Sequence, residues 1–383
     1  MVDASQQRRS KRLLFFVSED WYFCSHRLPL AIAAQKAGYS VSVITNVNKH
    51  GKKIEDAGLQ LIPVRLSRSS KNPLTEARLI YAICRHYRSA RPDIVHHVAV
   101  KPVIYGSIAA KFAGVQAKVN AIAGLGSIFV SSKRSARLLR SLISRLYRYL
   151  LNQPGTRVIL QNNDDARLLC DAGVLGAERV SLIQGSGVDP YMYAYVPEAK
   201  ANETTVVLAS RMLWDKGVGE FVAAAEILKS EGLSVRFVLV GEADEANPSS
   251  ISEMQLCAWR DAGIVEWWGR RSDMPSVFAA SHIVCLPSYR EGLPKVLIEA
   301  ASCGRPIVTT DAPGCREIVR DGDNGFLVPV NQVEPLAAAL RTLIGDPELR
   351  FRMGQCGRQR VLERFTLEQV VRETLAVYDS VMQ

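Results

Sequence analysis

Short apolar runs, each followed by a helical pattern, recur along the whole chain, and this alternation narrows its fold more than any other feature. Residues 12–18, 40–46, 59–64, 93–98, 118–123, 157–161 and 180–184 read as strands. Helical patterns fall between them, at 26–37 (stopped by Gly38), 74–89 and 103–113. A polar stretch at 189–201 holds Pro190 and Pro197. The series then restarts with strands at 204–209, 235–240, 265–268, 283–286 and 306–309, and helices such as 219–229 between them. Strands alternating with helices imply βαβ units and therefore parallel sheets. The expected fold class is α/β, with two doubly wound, Rossmann-like domains in series, which 383 residues accommodate. The expected divisions are a basic tail at 1–10, a first domain at 11–190, a second at 201–365 and a C-terminal helix at 366–383.

Two sequence features bear on partners. Residues 1–190 hold 28 Lys/Arg against 12 Asp/Glu, a balance of +16, while 191–383 hold 20 against 26, or −6. The first half is therefore suited to something anionic: nucleic acid, an acidic membrane surface or a phosphorylated substrate, unless it is simply a solvated basic face. The basic residues lack the aromatic interleaving of single-strand binders and any nucleic-acid motif, so nucleic acid is not expected. No apolar run approaches the length that spans a bilayer. At the N-terminus, Ser18, Glu19 and Asp20 cut the apolar run that starts at Leu13 to five residues, too short for a signal peptide. The eight cysteines are scattered, without metal spacing, which reads as free thiols in a reducing cytoplasm.

Two segments bring chemistry to the second half. Ser288-Tyr-Arg-Glu-Gly-Leu-Pro-Lys-Val-Leu-Ile-Glu-Ala300 follows the strand at 283–287. A helix over 293–303 would hold Pro294 in its first turn, where a missing N–H costs little. Glu291 then sits on the strand-to-helix loop and Glu299 about two turns on. In an open parallel sheet that loop lies at the carboxyl edge, where ligands bind. The amides of Glu291, Gly292 and Leu293 could reach a ligand there, and Gly292 permits close approach. Ala209-Ser-Arg-Met-Leu-Trp-Asp-Lys-Gly217 likewise runs from strand to helix. Its cations, Arg211 and Lys216, beside a helix N-terminus suit a diphosphate. Gly241 and Gly269 read as backbone turns near the same edge, and Trp267 and Trp268 as buried strand residues.

Pro-Ser-x-x-Glu-Gly-Leu-Pro-x-Val-x-x-Glu-Ala, with Gly304-x-Pro306, Pro313-Gly-Cys-Arg-Glu317 and Asp321-Gly-x-Asn-Gly325, resembles the two-glutamate signature of retaining glycosyltransferases of family 4. The resemblance implies the GT-B fold, whose two Rossmann-like domains face a central cleft and whose C-terminal helix crosses back to the first domain. It implies that Arg211 and Lys216 neutralise a leaving diphosphate, that Glu291 positions the donor sugar and that Glu299 holds the ribose. Gly241, Gly292 and Leu293 join that donor site, with Arg270 or Arg271 near the base. No cofactor and no metal are implied. Asp321-Gly-Asp323 fits a metal-binding pattern, but lies in turn chemistry.

On the acceptor side, Trp21-Tyr-Phe-Cys-Ser-His-Arg-Leu-Pro-Leu30 follows the first strand. His96-His-Val-Ala-Val-Lys-Pro-Val-Ile-Tyr-Gly106, Ala123-Gly-Leu-Gly126 and Gly185-Ser-Gly-Val-Asp189 resemble a bacterial branch of family 4 that extends undecaprenyl-diphosphate-linked sugars. That branch includes α-1,3-N-acetylgalactosaminyl transfer. The implied partners are a nucleotide-sugar donor, UDP- or GDP-linked, and a lipid-linked saccharide. The implied acceptor contacts are Ser25, His26, Lys101, Gly124 and Gly126, with Lys101 on a phosphate. Two departures stand out: no histidine follows Ala123, and His96-His97-Val98 replaces the branch's His-x-His. His26 and His96 are site residues or satisfied structural histidines. The alternative activity is a sugar-nucleotide 2-epimerase, which needs no acceptor. Finally, 131–152 reads as a helix with Arg134, Arg137, Arg140, Arg145 and Arg148 opposite Leu138, Leu139, Leu142, Ile143, Leu146 and Leu150. Such a helix lies on an anionic bilayer, or packs its apolar face on the domain. The first reading places the chain peripherally on the inner face of a bacterial plasma membrane.

Overall fold

The computed structural model describes residues 10–66, 72–125, 134–198, 203–245 and 247–383, with 134–139 described as backbone. Contacts divide the chain into two units. Gly187–Val370 forms one, and Met1–Ser186 with Val371–Gln383 the other. The stretch 187–198 therefore packs with the second unit.

The first unit contains β1 (Arg12–Glu19), β2 (Ser40–Asn46), β3 (Gln60–Pro63), β4 (Ile94–Val98), β5 (Ala117–Ile122), β6 (Thr156–Leu160) and β7 (Val180–Leu182), in the order β3-β2-β1-β4-β5-β6-β7. The second contains β8 (Thr204–Ala209), β9 (Val235–Val240), β10 (Glu266–Trp267), β11 (Ile283–Leu286), β12 (Ile307–Thr310) and β13 (Gly325–Val328), in the order β10-β9-β8-β11-β12-β13. All pairings are parallel. Each chain segment starts mid-sheet, winds outward one way, then returns to wind the other way. The strand order thus reverses between β1 and β4 and between β8 and β11. Connections leave those neighbours on opposite faces, which opens a crevice at their carboxyl ends.

Near-continuous apolar strands explain this topology, because a parallel sheet is covered on both faces. In the first unit, Leu14, Phe16, Ile44 and Val95 meet Ile83, Tyr87, Ala109 and Ala110 from the helices Pro73–Ala90 and Val100–Ala113. In the second, Val206, Leu208, Phe237 and Leu239 meet Phe221, Ala225 and Leu228 from the helix Val218–Ser230. Each such fully buried Val, Leu, Ile or Phe side chain contributes about 1.5–3 kcal/mol. The period of two in β4 sends His96 and His97 to opposite faces. His97 meets Tyr87 and Asn120, while His96 meets Phe15 and Tyr378. Tyr378 belongs to the last helix, Leu367–Met382, and its hydroxyl lies 2.6 Å from His96 Nδ1.

Two expectations are corrected, and one strand is new. The helix expected over 26–37 is two, Asp20–His26 and Leu28–Lys36, broken at Arg27 with φ −126° and ψ −21°. Pro29 at the start of the second helix tolerates that break. The helix expected from Leu293 begins at Lys295, with Pro294 as its extended N-cap. β13 was not foreseen, since its four residues follow a turn.

The helix Arg134–Leu151 packs on the domain through Ile143, Tyr147, Leu150 and Leu151, which join Val103, Ile122 and Val158. That part of its apolar face is consumed within the fold. Leu142 and Tyr149 are more than half exposed. The side chains of Arg134, Arg137, Leu138 and Leu139 lie outside the described residues, as do Gly126 and the basic tail up to residue 9. No helix among the described residues is long and apolar enough to cross a membrane.

Candidate active site

In the second unit, the segments after β8 and β11 meet beside the strand-order reversal. Lys216 Nζ lies 2.5 Å from Glu291 Oε1, and Ser288 Oγ donates to the same oxygen at 2.7 Å. Ser288 is fully buried, and the facing side chains of Lys216 and Glu291 are only 16% and 13% exposed, so little water screens the pair. The segment holding Glu291 is clamped by backbone contacts. Tyr289 N donates to Asp215 O at 3.0 Å and Glu291 N to Pro313 O at 3.1 Å, while Thr310 Oγ1 donates to the Ser288 carbonyl. The Glu291 amide, expected to face a ligand, is therefore already committed to Pro313. Gly217 makes the approach possible. Its φ is +73°, and a Cβ there would overlap the Pro287 carbonyl.

The other expected donor residues surround this pair. Arg211 is bound to Asp244 at 2.7 Å and its side chain is 43% exposed. Gly241, with φ +146°, donates its amide to Gly269 O at 2.8 Å and packs against the Ser210 carbonyl so closely that no side chain fits. Gly292 and Leu293 are buried on the turn leading to the helix Lys295–Ser302. Glu299 is buried within that helix and paired with Lys295 at 2.9 Å. It also accepts a hydrogen bond from Tyr193. Trp267 and Trp268 are half-buried, and their indole N–H groups go to Gly241 O and Glu266. Arg270 and Arg271 face Glu242 and Asp273. Asp321 caps a turn by accepting from Leu327 N at 2.9 Å. Among the described residues no group of His, Cys, Asp and Glu could hold a metal ion.

The chemistry open to this constellation is electrostatic. Cys315 lies close enough to feel Glu291 and Lys216, but burial first, and then the Glu291 charge, push its thiol up to about 12. It is therefore not a thiolate nucleophile at neutral pH. What remains is a part-buried ammonium, a fixed carboxylate and a second cation at a strand-order reversal, an arrangement matched to developing negative charge.

In the first unit, Ser25 is exposed and its hydroxyl bonds His26 Nδ1, while Tyr22 stacks on the His26 ring at 4.3 Å. Lys101, expected on a phosphate, is held by Glu76 at 3.2 Å with its side chain 24% exposed. Gly124, with φ +137°, follows β5. Ala99, between β4 and the helix Val100–Ala113, has φ +82° and ψ 164°, a conformation almost confined to glycine.

Comparison with known proteins decides the class. The family model described as Glycosyl transferase 4-like matches residues 12–163, and that described as Glycosyl transferases group 1 matches residues 203–346. Between them they take in most of both units. The chain belongs to the group 1, family 4-like glycosyltransferases. Among relatives of this glycosyltransferase is the N,N'-diacetylbacillosaminyl-diphospho-undecaprenol alpha-1,3-N-acetylgalactosaminyltransferase of Campylobacter jejuni, 28% identical over 93% of this chain and 95% of the relative. Another is the UDP-Gal:alpha-D-GlcNAc-diphosphoundecaprenol alpha-1,3-galactosyltransferase of Escherichia coli, 25% identical over 77% of each. Among solved structures, Anabaena HepE in complex with UDP superposes with a TM-score of 0.78 at 22% identity, covering 96% of this chain and 100% of that one. Sucrose-phosphate synthase from Thermosynechococcus elongatus gives 0.79 at 19%, covering 97% and 99%. These likenesses identify the glycosyltransferase's architecture as GT-B.

Sequence reasoning missed three side chains around the transferase's candidate site. Ser288 stood inside the quoted motif, but its role depends on the loop geometry. Tyr193 and Asp244 had no sequence signal, because each meets its partner only through the fold.

Proposed function

We propose that this glycosyltransferase moves a hexose or N-acetylhexosamine from a nucleotide sugar, UDP-linked by analogy with its relatives, to a polyprenyl-diphosphate-linked saccharide in bacterial surface-glycan assembly. The observation carrying this reading is the part-buried Lys216–Glu291 pair at the β8–β11 reversal, in a chain that aligns end to end with a transferase named for a diphospho-undecaprenol substrate. Arg211 and Lys216 would stabilise the charge growing on the departing diphosphate. Both already hold a carboxylate, Asp244 and Glu291, so donor phosphate takes over cations that are positioned beforehand. Glu291 would orient the sugar, Glu299 would hold the ribose, and Gly241, Gly292 and Leu293 would border the donor. The sugar's anomeric configuration is retained, with the leaving phosphate taking the proton of the incoming hydroxyl. Ser25, His26, Lys101 and Gly124 would border the acceptor.

The lipid-linked acceptor sets the reaction at the inner face of the plasma membrane. Support comes from the +16 balance of residues 1–190 and from exposed Leu142, Arg145, Tyr149 and Phe112, with Lys111 over the Tyr149 ring at 4.5 Å. Basic and aromatic side chains together suit an anionic interface. Nothing favours the sugar-nucleotide 2-epimerase. The decisive experiment measures nucleotide release from a panel of UDP- and GDP-sugars, with and without a short-chain polyprenyl-diphosphate sugar. Acceptor-dependent release with one donor is expected. Interconversion of a nucleotide sugar without acceptor would overturn the proposal.

A further inference from the structure

Arg27 occupies the break between the helices Asp20–His26 and Leu28–Lys36, and its side chain turns into the first unit, leaving the residue 3% exposed. Its side-chain partners are the Tyr22 hydroxyl and, through charge, His96 and Tyr378. Among the described residues no carboxylate pairs with it. The nearby acid in sequence, Asp20, is turned to backbone amides, accepting from Trp21 N at 2.7 Å and from Asn48 N and His50 N at 2.8 Å. A buried guanidinium without a counter-charge is among the most costly arrangements in a protein interior. Arg27 Nε is itself buried without a hydrogen-bond partner.

The groups around it repeat the imbalance. His96 is fully buried, with Nδ1 against the Tyr378 hydroxyl at 2.6 Å and Nε2 without a partner. The Tyr378 hydroxyl has no other acceptor among the described residues, so it donates to Nδ1, and Nε2 then bears the ring proton. Burial, reinforced by the Arg27 charge, holds His96 neutral. Tyr22 accepts from Arg27, which leaves its own proton to give. Two buried donors without partners, Arg27 Nε and His96 Nε2, and one positive charge lie with only the Tyr22 hydroxyl to accept from them. A neutral water would accept hydrogen bonds but leave the charge uncompensated, whereas an oxyanion answers both. Tyr22 is the half-buried member of the cluster and stacks on His26.

We propose that Arg27, His96 and Tyr22 form an oxyanion site in the first unit, next to the β1–β4 reversal, that takes a phosphate or diphosphate group. The site itself is independent of the transfer reading; assigning it to the acceptor's diphosphate rests on that reading.

The test uses the full chain bearing Arg211→Ala and Lys216→Ala, so that the donor-side cations do not report. In that background, inorganic pyrophosphate raises the melting temperature by several degrees. Adding Arg27→Met abolishes the shift, and without ligand the variant melts at the same temperature or higher, because an uncompensated buried charge has been replaced by an apolar stem. Arg27→Lys keeps the charge, loses the fork and needs about tenfold more pyrophosphate for the same shift. A missing pyrophosphate shift in the parent overturns the proposal, as does a shift that survives Arg27→Met. A variant that is destabilised or unfolded without ligand also overturns it, since Arg27 is then a structural strut. A short-chain prenyl diphosphate separates the two sources. Protection at tenfold lower concentration than pyrophosphate, lost with Arg27→Met, assigns the site to the lipid-linked acceptor. Equal protection assigns it to the free anion, and the transfer reading then stands or falls on the nucleotide-release assay alone.

Discussion

Lys216 and Glu291 are 75 residues apart in sequence and 2.5 Å apart in space, each the other's charge partner in a site nearly closed to water. The pairing fixes the carboxylate by one oxygen, Oε1, which also receives Ser288. On the proposed reading, the same cation exchanges a carboxylate for a donor phosphate.

Replacing Glu291 by Ala, or Lys216 by Ala, should lower turnover by about a hundredfold or more, the scale seen when one preorganised electrostatic group is removed. Neither change should unfold the chain. Steady-state nucleotide release, with circular-dichroism melting as control, checks both. Near-normal turnover in Glu291→Ala would remove that residue from the mechanism.

Ser288→Ala deletes one of two donors on the same oxygen. A hydrogen bond to a charged group contributes about 1.5–3 kcal/mol, so a loss of about ten- to a hundredfold in kcat/KM is expected. Ser288→Thr, which restores the hydroxyl, should recover most of it. Equal activity of the Ala and Thr variants would show that Lys216 alone orients Glu291.

Gly217→Ala should be destabilising by about 3 kcal/mol or more, because a left-handed backbone and an overlap with the Pro287 carbonyl coincide there. Gly232→Ala makes the comparison, since Gly232 shares a positive φ of +80° but faces open space. Urea denaturation of the two variants separates strain alone from strain with overlap; the Gly217 variant should lose clearly more.

Stability should fall in mild acid. Burial, the largest cause, lowers the His97 pKa from 6.5 to about 4, so the folded ring stays neutral down to that pH. In the unfolded chain it takes up a proton near pH 6.5. Between these values the unfolded state binds more protons. The stabilisation is therefore full above about pH 6.5, erodes as pH falls, and is lost through about pH 4. His97 alone contributes about 2 kcal/mol of difference between pH 7 and pH 5. His96 is shifted in the same direction. Urea titrations at the two pH values check this, and His97→Gln should flatten the dependence.

The strands at 204–209, 235–240 and 283–286 were legible to the residue because each is an unbroken apolar run flanked by polar or glycine positions, as a sheet buried on both faces demands. The loop position of Glu291 followed from Pro287 and Pro294 on either side. The break at Arg27 was harder to see, because the apolar pattern of 23–34 continues through it; Pro29 was the available signal. The ion pairs of Arg211 and Lys101 were invisible, because their acids, Asp244 and Glu76, come from distant segments that only the folded sheet brings near. Local pattern fixes elements and loop edges, whereas partners across the fold need coordinates.

The last helix also has a consequence for how the chain is made. Val371–Gln383 belongs to the unit that begins at the N-terminus, and Tyr378 reaches His96 in the middle of that unit's sheet. During synthesis the first sheet emerges early but waits for residues 371–383 to leave the ribosome before that face is covered. The second unit, Gly187–Val370, is a single continuous stretch and can close first. Order of emergence and order of completion are therefore reversed, and a ribosome that stops before residue 371 would release a chain whose fault lies in its oldest part.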